Sequence, residues 1–370
     1  MAMKEYLAKG YYIRTVPSYI AQRCLDRKSG SAECRVCVDV CPKGIYPSGK
    51  RKRPIWDQCI KCGLCAANCP SRYITPVSGE VERYLLAVTG KSDFSIGCAS
   101  DEEEYAYSVS CVASVSWEQM AYAALKNGIT ISLRECAECT EEGKKELINE
   151  NLNKLMTFLG EDLFDERVRI LYPGDEYEFQ PETVSRRELF TFFSNTTLDK
   201  VFLSLPTIED SADSSLFYRF MLRDAVKEFK DTEKGKNAKF TVKLPHITEK
   251  CYGCGMCARM CPTKAISIIK KDKDFTVAVE AYRCTECGVC QEKCWAGGID
   301  AIAAMKVPHI GKVAVRKLKQ HLCPQCGKSF SYNTGEELCP TCAAKKRVAD
   351  RKKAAEQKAL SDEKKEEAKE

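Results

Sequence analysis

Four cysteines fall within twelve residues in CYGCGMCARMCP, 251–262. Spacings of two, two and three residues put Cys251, Cys254 and Cys257 on one tight loop, with their sulfurs turned inward together. Cys261, followed by proline, is turned away by the change in backbone direction. This is iron–sulfur spacing, in which the fourth cysteine ligates the other cluster of a pair. It calls for a second copy nearby, and CTECGVCQEKCW supplies Cys284, Cys287, Cys290 and Cys294. The expected assignment crosses over. Cys251, Cys254 and Cys257 go with Cys294, and Cys284, Cys287 and Cys290 go with Cys261. Trp295 stands where a proline is usual, which changes the exit turn and removes no ligand. Packing thiols or disulfides are the alternative, and eight cysteines at cluster spacing argue against them.

The device recurs near the other end of the chain. CIKCGLCAANCP (59–70) is a complete motif with Cys59, Cys62, Cys65 and Cys69, and CRVCVDVCP (34–42) keeps Cys34, Cys37 and Cys41. The position of its first cysteine holds Ser31, so the nearest thiol is Cys24, separated from Cys34 by nine residues. Loop closure costs grow slowly with length, which makes Cys24 the favoured fourth ligand over Ser31 or an open iron site. The expected sets are Cys24, Cys34, Cys37 with Cys69, and Cys59, Cys62, Cys65 with Cys41. On these motifs the C-terminal pair resembles bacterial-type ferredoxins. The N-terminal pair resembles small accessory ferredoxins with irregular first loops. The resemblance implies two 4Fe–4S clusters in each block.

Four more cysteines, Cys98, Cys111, Cys136 and Cys139, sit among elements of a different kind. FSIGC (94–98), AYSVSC (106–111), ITISL (129–133) and RVRILY (167–172) read as short strands. SWEQMAYAALKNG is a helix opened by a capping box of Ser116 with Gln119 and stopped by Gly128. A second amphipathic helix runs over 141–159 to Gly160. Strands alternating with helices predict a parallel sheet, whose sites gather at the carboxyl ends of the strands. All four cysteines follow strand ends, which favours a site over buried packing thiols. The stretches SVSCVASVSWEQMAYAALKNGITISLRECAEC, LMTFLGEDLFDERVRILY and RRELFTFF resemble the delta subunit of the hydrogenase associated with heterodisulfide reductase. That resemblance implies a 2Fe–2S cluster and a role in passing electrons to a partner. Here the family's paired early cysteines are reduced to Cys98, and Val112 replaces a glycine, so zinc on four thiolates is the fallback.

The last four cysteines, Cys323 and Cys326 in CPQCG with Cys339 and Cys342 in CPTC, make two knuckles of a zinc ribbon. A rubredoxin-like iron is the competing occupant. Before the ribbon, KVPHIGKVAVRKLKQH (306–321) reads as a basic linker, and after Ala343 the Lys/Glu/Ala-rich tail reads as a solvated helix or disorder.

The 370 residues suffice for several domains, and 24 cysteines at metal spacing belong to a reducing compartment. Neither a signal peptide nor a membrane span is evident, so a cytoplasmic location is expected. Net charge is +6, and the basic patch KGIYPSGKRKR (43–53) suits docking to an acidic redox partner better than nucleic acid. There is no phosphate-binding glycine loop and no nucleophile–base pair, and His246, His309 and His321 form no catalytic set. The expected architecture is an α+β multidomain chain: a ferredoxin-like block at 1–80, an α/β domain at 81–240, a second block at 241–306, linker and ribbon at 307–343, and the tail at 344–370. The expected function is multi-cluster electron transfer within an anaerobic oxidoreductase complex. A regulatory or assembly protein, or a nucleic-acid-binding ribbon protein, is the alternative.

Overall fold

The computed structural model describes residues 17–26, 34–46, 54–75, 78–89, 94–139, 143–179, 216–271, 274–331 and 337–367. Ser31, the 47–53 part of the basic patch and RRELFTFF (186–193) lie outside them.

Elements of the N-terminal block are short because the cysteines dictate its backbone. β1 (Ser18–Tyr19) pairs antiparallel with β2 (Ile74–Thr75). The single-turn helices α1 (Val36–Asp39) and α2 (Leu64–Ala67) come between them in the chain. Its core is small: Ile45, Tyr46, Tyr73 and Ile74 are buried together with Cys65 and Cys69.

α3 (Ser78–Val88) leads into the middle domain. There β3 (Phe94–Cys98), β4 (Tyr107–Val109), β5 (Ile129–Ser132) and β6 (Val168–Leu171) form a wholly parallel sheet in the order β4-β3-β5-β6. All four expected strands are present. Every residue of β5 is buried, as in a sheet covered on both faces. α4 (Trp117–Lys126) starts where expected, with the Ser116 N–H donating to Gln119 Oε1 at 2.9 Å. α5 (Lys144–Leu159) stops at Gly160, whose φ of 81° releases the chain into α6 (Glu161–Arg167) and then β6. α7 (Phe217–Lys230) buries Phe217, Met221, Leu222, Ala225, Val226 and Phe229 along one stripe. Tyr84 is wholly buried and meets Phe94, Tyr107 and Tyr218 edge-on, with ring centroids 5.5–5.7 Å away. Such contacts add about 0.5–1.5 kcal/mol each beyond the area buried.

The C-terminal block is antiparallel. β7 (Phe240–Ile247) is followed by α8 (Met256–Met260), β8 (Ile266–Lys271), β9 (Asp274–Glu280), α9 (Val289–Glu292) and β10 (Ile299–Val307). β7 pairs with β10. The 306–321 segment, expected as a linker, instead ends β10 and forms β11 (Lys312–Leu322), which joins β12 (Ser329–Ser331), β9 and β8 in a sheet ordered β12-β11-β9-β8. α10 (Pro340–Glu367) follows the ribbon, so the tail is helical over its described part.

One apolar cluster runs from Leu64 of α2 through the middle sheet to Phe240, Val277 and Ile299. Phe158 of α5 stacks on Phe240 of β7 with centroids 5.1 Å apart. The ribbon has a separate core of Cys323, Phe330, Cys339 and Cys342.

Gly97 shows how tightly this core fixes the site. A Cβ there would fall 2.1 Å from the Tyr105 ring. That ring stacks on Tyr177 at 5.6 Å, and its hydroxyl donates to Asp101 Oδ2 at 2.5 Å beside Ser132. Gly97→Val is therefore expected to expel Tyr105 and shift the neighbouring Cys98, at a cost of about 1–3 kcal/mol. Urea melts together with metal analysis would check it. A variant of unchanged stability and metal content would show that the loop yields freely.

Candidate metal centres

The three regular motifs share one backbone. Lys61, Gly253 and Glu286 precede the second cysteine with φ of 60°, 74° and 59°, and Gly63, Gly255 and Gly288 follow it with φ of 78°, 74° and 74°. Two left-handed residues around one cysteine fold its loop inward, and the second caps a short helix carrying the third cysteine: α2, α8 or α9. The exits match as well. Three residues after each fourth cysteine comes another left-handed residue: Gly44 (56°), Arg72 (51°), Lys264 (54°) and Gly297 (65°). Lysine, glutamate and arginine at positive φ are strained positions, held here by the surrounding loop. In the irregular motif Arg35, which follows Cys34, has φ of −114°. Its loop approaches by another route.

Sulfur contacts repeat between the two ends of the chain. The N–H of Tyr73 donates to Cys69 Sγ at 3.2 Å, and that of Ala265 to Cys261 Sγ at 3.2 Å. Ser71 Oγ lies 3.8 Å from Cys69 Sγ, and Thr263 Oγ1 lies 3.5 Å from Cys261 Sγ.

Electrostatics shows which thiols are brought together. Burial, then repulsion from Cys69, Cys34, Cys24 and Cys65, pushes Cys37 up to about 12. Burial drives Cys65 to about 12 as well, opposed by Tyr46 and reinforced by Cys62, Cys41 and Cys59. In the C-terminal block burial, then Cys251, with Cys254 and Cys294, raises Cys257 to about 11. Burial raises Cys290 too, followed by Cys284, Cys287, Cys261 and Cys257. Two cavities have matching walls, one lined by Cys41, Cys59, Cys62 and Cys65, the other by Cys251, Cys254, Cys257 and Cys294. The chain thus gathers thiols across its motifs, with Cys24 in the first group. All 24 cysteines are free of disulfides. Four buried thiols that oppose one another's ionisation become thiolates together only around positive charge, which is the condition a metal cluster satisfies.

In the middle domain Cys98 ends β3, Cys111 follows β4, and Cys136 and Cys139 follow β5. They also converge: burial, then Cys111, Cys98 and Cys139, raises Cys136 to about 11. Ser100 Oγ donates to Cys98 Sγ at 3.1 Å. The ribbon is tighter. The sulfurs of Cys323, Cys326, Cys339 and Cys342 all lie within 4.8 Å of one another, with Cys326 and Cys339 at 3.7 Å. A tetrahedron of about 2.3 Å Zn–S bonds has edges of about 3.8 Å. Among the described residues no other set of cysteines is packed this closely. Of the histidines, His246 lies 2.7 Å from Asp300 Oδ1 on the surface.

A polar bridge that the sequence did not foretell joins the N-terminal block, through α4, to the Cys284 segment. Glu118 of α4 is 1% exposed, and its Oε1 accepts from Arg72 Nη2 and from Arg219 Nε, the latter at 2.9 Å. Burial opposes its ionisation, but Arg72 and Arg219 prevail and hold the carboxyl at about 2. Arg72 also donates to the carbonyls of Ala67 (2.8 Å) and Ala66 (3.3 Å), and Arg219 Nη1 to those of Cys284 (2.5 Å) and Ala281 (3.4 Å). The available signal was a glutamate inside a run that is buried from 118 to 125.

This C-terminal geometry is that of a ferredoxin-type iron–sulfur domain, and the family described as a 4Fe-4S dicluster domain matches residues 250–297. A ferredoxin of Rickettsia felis is 40% identical over 50 residues, 13% of this chain and 46% of that ferredoxin. The chain thus spans about half the length of the curated relative it matches. Among the described residues no helix is long and apolar enough to cross a membrane.

Proposed function

We propose that the chain is a multi-cluster electron-transfer protein, a relay subunit of an anaerobic oxidoreductase complex of the hydrogenase and heterodisulfide reductase kind. The observation that carries this reading is the repeated backbone. The left-handed positions around the second cysteine and after the fourth recur in the 54–75 segment as they stand in the matched 250–297 domain. On this reading Cys24, Cys34, Cys37 and Cys69 hold one 4Fe–4S cluster, and Cys59, Cys62, Cys65 and Cys41 a second. Cys251, Cys254, Cys257 and Cys294 hold a third, and Cys284, Cys287, Cys290 and Cys261 the fourth. The looser spacing of Cys98, Cys111, Cys136 and Cys139 suits a 2Fe–2S cluster better than one zinc ion, and the ribbon's tetrahedron suits zinc.

When bound, each cluster supplies reversible one-electron chemistry. The residues around it do the rest. The left-handed loops aim the sulfurs, the N–H groups of Tyr73 and Ala265 hydrogen-bond two of them, and the shared apolar core keeps the blocks in fixed relation. Partners on this reading are redox proteins with acidic docking faces.

Anaerobic reconstitution followed by metal analysis tests the proposal. About sixteen irons for the four cubanes, about two for the middle site and one zinc are expected. Fewer than about twelve irons would sink the two-pair arrangement. Cys24→Ser is expected to remove or convert one cubane EPR signal and leave three, and a variant that keeps all four would exclude Cys24 as a ligand.

A further inference from the structure

Arg219 lies beside one of the candidate centres. Its guanidinium donates to the Cys284 carbonyl at 2.5 Å and lies over the Trp117 ring, 5.2 Å from the centroid. Glu118 fixes it from behind at 2.9 Å and is shared with Arg72, three residues past Cys69 in the N-terminal block. The two arginines and one carboxylate sum to a single positive charge, enclosed where Glu118 is 1% and Arg219 7% exposed. Charge and hydrogen bonds around a cluster are what set its potential, and buried charges are screened little.

We propose that Arg219 is a positioning residue that raises the reduction potential of the centre held by Cys261, Cys284, Cys287 and Cys290, and that Glu118 couples this centre electrostatically to the N-terminal block through Arg72. The inference rests on the electron-transfer reading. Reduction adds one negative charge to the centre, which the nearby guanidinium stabilises. Removing Arg219 leaves Glu118 neutralised by Arg72 alone, so net positive charge is lost beside Cys284. Removing Arg72 leaves the carboxylate to offset Arg219, so the same centre feels less positive charge from a greater distance. Each single change retains one arginine on the buried carboxylate.

The test is an EPR-monitored potentiometric titration of the anaerobically reconstituted full chain. The signal of this centre is identified by its loss in Cys287→Ser. Arg219→Gln is expected to move its midpoint to more negative potential. Arg219→Lys, which keeps the charge, should stay nearer wild type, and Arg72→Gln should move it negative by a smaller step. A midpoint unchanged in Arg219→Gln, or equal in the Gln and Lys variants, overturns the proposal for Arg219. Should Arg219→Gln fail to load its clusters, the midpoint of Arg72→Gln decides, and no shift there overturns the coupling. A wild-type chain without cubane iron overturns the underlying reading, and this inference with it.

Discussion

On the zinc reading, chelation, or Cys339→Ser, is expected to unfold the site of Cys323, Cys326, Cys339 and Cys342 and fray the start of the following helix, leaving the rest of the chain folded. Among the described residues, little besides the pairing of β12 with β11 holds the ribbon otherwise. Its core is Cys323, Phe330, Cys339 and Cys342, with Leu338 beside them, and it is separate from the main apolar cluster. Structural zinc on four thiolates contributes about 10–16 kcal/mol, which is folding free energy for a unit of this size. Cys342 also lies in the first turn of Pro340–Glu367. A metal there fixes that turn and offsets the cost of helix nucleation. Far-UV circular dichroism and limited proteolysis before and after chelation would show the loss. A ribbon that stays protease-resistant, with its helix intact, would mean that the thiols pack without metal.

Glu118→Ala is expected to cost about 3–5 kcal/mol, because it leaves Arg72 and Arg219 buried without their counter-charge. Both lie largely out of solvent, at side-chain exposures of 14% and 8%. The pH dependence has a definite sign. The folded carboxyl sits at about 2, below its ordinary 4.5, so its stabilisation is complete above about pH 4.5 and fades as pH falls toward 2. Urea melts at pH 7 and pH 3 would read both effects. The wild type should lose part of this stabilisation at the lower pH, and the variant should lack this part of the dependence. A variant within about 0.5 kcal/mol of wild type at pH 7 would show that the arginines find other partners.

Much of this was legible because cluster loops, strands and caps are local. The spacing in CYGCGMCARMCP already implied crossed sharing, and Cys251, Cys254, Cys257 and Cys294 line one cavity. Ser116 with Gln119 marked the start of a helix that begins at Trp117. The strand Lys312–Leu322 was hidden by its lysines and by a register shift between Ala314 and Arg316, which breaks the two-residue alternation. The Arg72–Glu118–Arg219 bridge left only one local trace, a glutamate within an otherwise largely apolar helix. Its members are 46 and 101 residues from the carboxylate they share, and only the fold brings them together.

That separation also sets an order of assembly during synthesis. Translation proceeds at about 5–20 residues per second, so roughly 5–20 s pass between the emergence of Glu118 and that of Arg219. Arg72 is already made when Glu118 appears. Through that interval the helix Trp117–Lys126 carries the Glu118 carboxylate with one counter-ion, and the face of it that Phe217–Lys230 will cover is open. The growing chain is therefore most exposed to aggregation and proteases after Trp117–Lys126 has emerged and before Phe217–Lys230 packs against it.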